Sequence, residues 1–459
     1  MKNQYDIFWI GTGQATGTIV PRLAKEGKKV ALAEGGRFGG SCVNYGCTPT
    51  KTIVASARAA HMARRGADFG VQTGEIKVDF SKVMQRQNHI RHSTSEGFEG
   101  WMRGMENVDI YPHFAAFEDP HTVRVGDESI RAETIVINAG GRSRVVPIDG
   151  LDQVDWLDNA RLLDLKELPD HLVIVGGSYI SLEFAQAFRR LGSQVTVLEA
   201  SSQIMFREDE DIALAAQEIL ESEGISIYLN ARAKRLSQNR PGDIEVRFDR
   251  DGQDVQVRGS HLLMAVGRVP NSDRLNLDAA GVEVDERGFI RVNDVMQTNQ
   301  PHIFAVGDIN GEGAFTHTSV NDGEIFWDFY SGADDRTLSQ RIPTYAMFID
   351  PPLGRVGMSE KEARLSERNV LMATRLMKSI SRAKEKDETA GLIKILVDAD
   401  TEQFLGATIL GVGGDEIVNM FTPFMYAKQS YKLFRKAVLA HPTVAELMPW
   451  ILDDLKPLI

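Results

Sequence analysis

At 459 residues the chain is long enough for about three domains of ordinary size, and its 42% hydrophobic and 25% charged residues are those of a globular protein. No run approaches the ~18 to 20 apolar residues of a membrane span, and a net charge of -12 without blocks of like charge argues against nucleic acid or an anionic membrane as partner. Met1-Lys2-Asn3-Gln4-Tyr5 runs straight into an apolar segment ending in glycines, unlike a secretory signal, so a reducing, cytoplasmic setting is expected.

Asp6-Ile7-Phe8-Trp9-Ile10 suits a buried parallel strand and ends in Gly11-Thr12-Gly13. A helical stretch follows through Leu23-Ala24-Lys25-Glu26 to Gly27, where Pro21 predicts a kink. Val30-Ala31-Leu32-Ala33 then forms a second strand ending at Glu34. Glycines at such a turn let the backbone approach a pyrophosphate, and the helix N-terminus favours its charge. Glu34 stands where an acid can accept hydrogen bonds from ribose hydroxyls. The third glycine position holds Thr16 instead.

Cys42 and Cys47, the only two cysteines, share the loop Gly39-Gly40-Ser41-Cys42-Val43-Asn44-Tyr45-Gly46-Cys47-Thr48-Pro49-Thr50-Lys51. A reducing compartment disfavours a merely structural disulfide, and a zinc site wants further ligands and a shorter spacing. Redox chemistry is favoured over these readings and over two buried thiols. In an ideal helix residues five apart lie about 7.5 Å apart along the axis, beyond the ~4.4 to 6.8 Å Cα separation of a disulfide. The segment must therefore be distorted, and Gly46 offers a permissive position.

The first pattern recurs about 165 residues on. Leu172-Val173-Ile174-Val175 leads into Gly176-Gly177-Ser178-Tyr179-Ile180-Ser181-Leu182-Glu183, and a helical stretch precedes Val195-Thr196-Val197-Leu198 and the acid Glu199. Two such units suggest two dinucleotides bound by one chain, as electron transfer requires. Ser178 and Ser181 replace usual glycines.

Cys42 to Lys51, the two nucleotide units, Ala305-Val306-Gly307-Asp308 and His441-Pro442-Thr443-Val444-Ala445-Glu446 together resemble the class I pyridine nucleotide-disulfide oxidoreductases, a family that includes dihydrolipoamide dehydrogenase, glutathione reductase and mercuric reductase. The resemblance implies an α/β fold of two Rossmann-like dinucleotide-binding domains plus an α+β C-terminal dimerisation domain. An FAD-binding domain would span 1–150 and 271–337, an NAD(P)-binding domain 151–270, and the interface domain 338–459. Breaks at Pro147-Ile148-Asp149-Gly150 and Gly267-Arg268-Val269-Pro270-Asn271, and the polar stretch Ser331 to Arg336, agree with these boundaries.

By the same resemblance Cys47 is the flavin-proximal thiol and Cys42 the interchange thiol. Lys51 lies near the flavin and pairs with Glu183, each favouring the other's charge. Tyr179 matches the aromatic gate that moves when nicotinamide enters. Gly11, Gly13, Gln14, Ala15, Glu34, Gly40, Ser41, Ala139, Gly140, Asp308, Thr316 and His317 would meet FAD, and Ala115 its adenine, with Asn138 a departure from the family pattern. Gly177, Ile180, Glu199 and Gly267 would meet the nicotinamide coenzyme. NADH is favoured over NADPH because the Glu199 carboxylate would repel a 2'-phosphate. His441 would exchange the proton with a leaving thiolate while Glu446 fixes its tautomer. In the family this pair serves the opposite subunit, which implies a homodimer.

The expected acceptor is a small-molecule disulfide or a metal ion, and no resident metal is expected. Asp350-Pro351-Pro352-Leu353-Gly354-Arg355-Val356-Gly357-Met358 and Ser381-Arg382-Ala383 resemble the bacterial reactive-chlorine-resistance flavoprotein branch, which points to electrons passing to Cu(II), oxygen or a quinone. The alternatives are a mercuric reductase, which should require more thiolates than Cys42 and Cys47, and the dihydrolipoamide dehydrogenase component of a multienzyme complex.

Overall fold

The computed structural model describes residues 4–333 and 335–458. Four parallel strands in the order Val108–Tyr111, Val30–Ala33, Gln4–Ile10 and Glu128–Ile137 begin a seven-stranded sheet, which Ile303–Ala305 joins in parallel and the pair Ala115–Asp119 and Thr122–Val125 joins in antiparallel fashion. Ile7, Phe8 and Trp9 are fully buried, since a central parallel strand is covered on both faces. The helix Thr16–Lys25 contains Pro21 and continues past it, its apolar face of Ile19, Val20 and Leu23 buried. It lies close to the helix Thr316–Ser331, where a Cβ on Gly323 would stand 3.0 Å from that of Ala15.

A second parallel sheet runs Ser226–Tyr228, Gln194–Leu198, His171–Val175, His261–Met264 and Trp156–Leu157. Alternation along its strands sends Leu172 and Ile174 toward Phe184 and Phe188 of the helix Tyr179–Leu191. Val173 and Val175 face the other way, against Leu236, Val246 and Phe248 of an antiparallel three-stranded sheet, Ala231–Arg240, Asp243–Arg250 and Gln253–Gly259. A short ribbon, Gly141–Ser143 with Arg268–Pro270, connects the two nucleotide units. The C-terminal sheet, Thr344–Met347, Leu353–Gly357, Phe404–Leu410, Leu392–Asp398, Val370–Leu376 and Lys456–Pro457, is wholly antiparallel.

One apolar core fastens these units together. Ile53 and Ala57 of the helix Cys47–Arg64 share it with Phe184 and Phe188 of the second unit and with Met347, Leu353, Leu392 and Leu410 of the C-terminal sheet. Ion pairs line the same junction. Asp350 binds Arg58 of the cysteine helix and, at 2.6 Å, Arg190 of the second unit, whose guanidinium also holds Glu223 at 2.7 Å. Burial would raise the Asp350 carboxyl, but Arg190 and Arg58 together hold it below the usual carboxylate range.

Arg190→Ala removes a buried cation shared by two mostly covered carboxylates, Glu223 and Asp350. A loss of about 3–5 kcal/mol is expected, read as a lower urea midpoint at neutral pH. Asp350's share is present above its unfolded pKa and is lost as pH falls through its depressed folded value, so the difference from wild type should narrow below about pH 4.

Candidate active site

The cysteine segment is two helices with a break between them. Gly39 and Gly40 take φ values of +100° and +61°, conformations that favour glycine, and a Cβ on Gly40 would come within 3.0 Å of Gly13 Cα. The cysteine loop is thereby seated directly on the first glycine turn. A short helix, Gly40–Asn44, carries Cys42, and the Asn44 amide donates to the carbonyls of Phe38 and Gly40 at 2.9 and 3.1 Å. Gly46, at φ -135° and ψ -110°, interrupts the helical path, and Cys47 opens the next helix. The break at Gly46 relieves the axial separation that an unbroken helix would impose.

Both thiols are unbridged, and each shifts the titration of the other. Cys47 Sγ lies 3.4 Å from Thr316 Oγ1. Its thiol is pushed down to about 6, first by Cys42 and then by Thr316 and the Lys51 charge, which together outweigh the desolvation of an otherwise exposed residue. Cys47 in turn, with burial, pushes Cys42 up. The first proton therefore leaves from Cys47, and a helix N-terminus also favours a thiolate.

Lys51 Nζ meets Glu183 Oε2 at 2.7 Å, so the pair joins the cysteine helix to the helix of the second glycine turn. Glu183 Oε1 accepts the Phe348 amide at 2.9 Å, and Lys51 lies 4.7 Å from the centroid of the Phe348 ring. Tyr179 donates its hydroxyl to buried Glu208 and packs against Tyr345, while its neighbour Ile180 is partly exposed. Phe348, Tyr345 and Glu208 carry no motif. Glu208 sits in the charged run Arg207-Glu208-Asp209-Glu210-Asp211, which reads as a solvated face.

The two glycine turns share one device. Glu34 Oε2 accepts Thr12 N–H at 2.9 Å and its Oε1 accepts Gly36 N–H at 2.7 Å. At an offset of 165 residues Glu199 Oε2 accepts Gly177 N–H at 2.6 Å and its Oε1 accepts Ser201 N–H at 2.7 Å. The helices Thr16–Lys25 and Tyr179–Leu191 have no side-chain cap and no acid in their first turn. Such N-termini fit the pyrophosphates of FAD and of a nicotinamide dinucleotide.

The departures from the glycine pattern have structural reasons. Thr16 is buried and accepts the Trp9 indole N–H at 2.8 Å. Asn138 donates to Val306 O at 2.8 Å, and a Cβ on Gly13 would lie 2.4 Å from its Oδ1, so a third glycine would leave this polar knot incomplete. Gln14 donates to Gly39 O at 2.8 Å, and Ala15 is buried beside Gly323.

Around this knot stand the remaining candidates. Asn271 donates to Ala139 O and Gly140 O, the first through its side chain and the second through its amide N–H. Arg268 reaches Ser41 Oγ at 3.2 Å and lies 3.7 Å from Asp308, whose carboxyl burial raises. A cavity of about 330 Å³ is lined by Arg268, Asp308, Phe315, Thr318 and Tyr345. His317 shares a 2.6 Å hydrogen bond with Thr344 O. Gly267, at φ +110°, has open space where a Cβ would stand. Ala115 is buried at a strand start, and the preceding Phe114 ring covers Gly35, next to Glu34.

His441 Nδ1 lies 3.0 and 3.1 Å from the two Glu446 oxygens, with its side chain 78% exposed. Among the described residues no hydrogen bond or ion pair links this couple to the cysteine loop of the same chain. Asp209, Asp211 and Glu360 converge within 4.8 Å, but Lys394 Nζ stands among them at 2.5 to 3.3 Å and supplies the cation.

Comparison with known proteins adds to this geometry. Residues 5–323 match the family model of the pyridine nucleotide-disulphide oxidoreductases, and residues 343–452 match the dimerisation domain of the same group. A probable pyridine nucleotide-disulfide oxidoreductase, RclA of Escherichia coli K12, is 36% identical over 454 residues, 97% of this chain and 98% of the relative. A mercuric reductase of Streptomyces lividans is 31% identical, covering 91% and 89% of the two chains, and a dihydrolipoyl dehydrogenase of Bacillus subtilis 30%, covering 96% of each. The solved Cu(II) complex of the HOCl-induced flavoprotein disulfide reductase RclA from Escherichia coli superposes with a TM-score of 0.88 at 35% identity, over 98% of this chain and 99% of that one.

In flavin-free, reduced protein, alkylation of Cys47 by iodoacetamide should reach half its maximal rate near pH 6 rather than near the ~8.5 of a free thiol. Lys51→Met and Thr316→Val should each move that midpoint upward, followed by mass spectrometry. An ordinary thiol profile in wild type would refute the stated surroundings of Cys47.

Proposed function

The chain belongs to the pyridine nucleotide-disulphide oxidoreductases, flavoenzymes that use FAD and NAD(P)H, and we propose that it is a metal-ion reductase of that family working through Cys42 and Cys47. One observation carries the proposal: Cys47 sits between Thr316 of the first unit and the Lys51–Glu183 pair reaching into the second, with Cys42 close enough to shift its titration. Bound FAD, held by the first glycine turn and Asp308, would supply two-electron chemistry between the nicotinamide and the cysteine disulfide.

Every other part of the task falls to side chains. Residues 1–150 and 271–337 form the FAD unit, 151–270 the coenzyme unit and 338–459 the dimer unit. Cys47 holds the thiolate of the reduced pair, and Lys51 stabilises its charge. Cys42 is the thiol presented to the acceptor. Its proton passes to His441, which Glu446 orients through Nδ1. Because His441 is exposed and stands apart from its own cysteines, it serves the pair of the opposite subunit in a homodimer.

Cu(II) is the acceptor best supported, since the 35% identical relative is solved with this ion. Oxidation of one dithiol to the disulfide reduces two Cu(II) to two Cu(I) and releases two protons, so electrons balance. Hg(II) is the second reading, favoured by the mercuric reductase relative. In this sequence the thiolate donors for so soft an ion are Cys42 and Cys47 alone. NADH is the coenzyme, because Glu199 presents a carboxylate where NADPH carries a phosphate.

Purified enzyme assayed with NADH should reduce Cu(II) faster than lipoamide, glutathione disulfide or Hg(II), and Cys42→Ser should lower Cu(II) turnover at least about tenfold. Faster lipoamide turnover would transfer the assignment to a dihydrolipoyl dehydrogenase. In the same assays kcat/KM should be higher for NADH than NADPH; a tenfold preference for NADPH would overturn the role given to Glu199.

A further inference from the structure

Tyr179 follows the second glycine turn and opens the helix Tyr179–Leu191. An aromatic gate held only by apolar packing could swing at little cost. This ring is held by more. Its hydroxyl donates to Oε1 of Glu208, a residue 2% exposed. The same oxygen accepts the Tyr345 hydroxyl at 2.7 Å, and the other carboxylate oxygen accepts Arg355 Nη1 at 3.0 Å. Tyr345 and Arg355 belong to adjacent strands of the C-terminal sheet, and Arg355 lies 5.8 Å from the Tyr345 ring centroid.

The rings continue toward the redox centre. Tyr179 lies 5.6 Å from Tyr345, which stacks on Phe315 at 5.4 Å, and Phe315 stacks on His317 at 5.4 Å. Thr316, between those last two, is the residue in contact with Cys47. The next residue after Glu208, Asp209, accepts the amides of Glu360 and Lys361, so the whole turn is fixed to the C-terminal domain.

We propose that Glu208 is a latch for the Tyr179 gate: a buried carboxylate, anchored by Tyr345 and Arg355 of the C-terminal sheet, that holds the ring closed and sets how readily nicotinamide enters. Glu208 is a positioning residue, acting through Tyr179 and touching no substrate. The inference rests on Tyr179 being the gate. To open, the ring must give up a hydrogen bond to a charged acceptor in a dry site, a bond of the size that changes a dissociation constant about tenfold. The latch thus taxes occupancy of the nicotinamide subsite and leaves the adenosine end of the coenzyme untouched.

Calorimetric titration of oxidised holoenzyme with NAD+ and with ADP-ribose, which lacks the nicotinamide, tests this. Tyr179→Phe keeps the ring and removes the latch bond; it should bind NAD+ about tenfold more tightly with ADP-ribose affinity unchanged. Glu208→Gln should act in the same direction. Should Glu208→Gln fold poorly with Arg355 less well paired, Tyr179→Phe, which leaves Glu208 and Arg355 together, still decides. Equal changes for both ligands would mark the contact as merely structural and overturn the latch. If Tyr179→Phe leaves NAD+ binding unchanged while Tyr179→Ala alters it relative to ADP-ribose, the gate stands and the latch falls. If neither variant separates the two ligands, the gate reading fails and takes the latch with it.

Discussion

The Lys51–Glu183 ion pair is the contact on which the site's geometry depends. It joins the helix that carries Cys47 to the helix that opens on the second glycine turn, beside the cysteine, and the Phe348 amide caps it from the C-terminal segment. Glu183 is almost fully buried, so its carboxylate is tolerable only with these donors in place. The same two helices share an apolar core through Ile53, Phe184 and Phe188, which Leu353 of the C-terminal sheet joins. Sequence-distant segments thus meet at one charge pair, and the chemistry of Cys47 draws on the same lysine.

How much of this was legible in the sequence depended on whether a residue worked locally. The strand-turn-strand units showed themselves through apolar runs, glycines and a following acid, all within some thirty residues. The need for a distorted cysteine segment followed from helix geometry alone, and the break falls at Tyr45 and Gly46. His441 and Glu446, five apart, were readable as a couple, and they are one. What stayed hidden were partners from remote segments. The contacts of Glu208 with Tyr345, Phe348 with Glu183 and Arg268 with Ser41 span 130 residues or more, and no periodicity announces them.

The apparent imperfections of the motifs are a related case. Thr16 in place of glycine looked like erosion, yet it receives the indole of Trp9. Asn138 looked like a departure, yet it ties the first turn to Val306. Pro21 stands inside the helix Thr16–Lys25, which continues past it with its apolar face buried, tertiary packing outweighing one lost hydrogen bond. Thr16 and Asn138 form one set, since Thr16 Oγ1 donates to Asn138 Oδ1 at 3.2 Å.

The paired carboxylates at the glycine turns carry an evolutionary consequence. Glu199 ties down the amides of Gly177 and Ser201, and a Cβ on Gly177 would stand 2.9 Å from its own. The residue proposed to discriminate between coenzymes is therefore also a structural strut of the loop. A lineage that exchanged it for a basic side chain would acquire affinity for phosphate and lose its loop in one step. Preference between the two coenzymes should drift slowly here, because the change must arrive together with a new way of holding the turn.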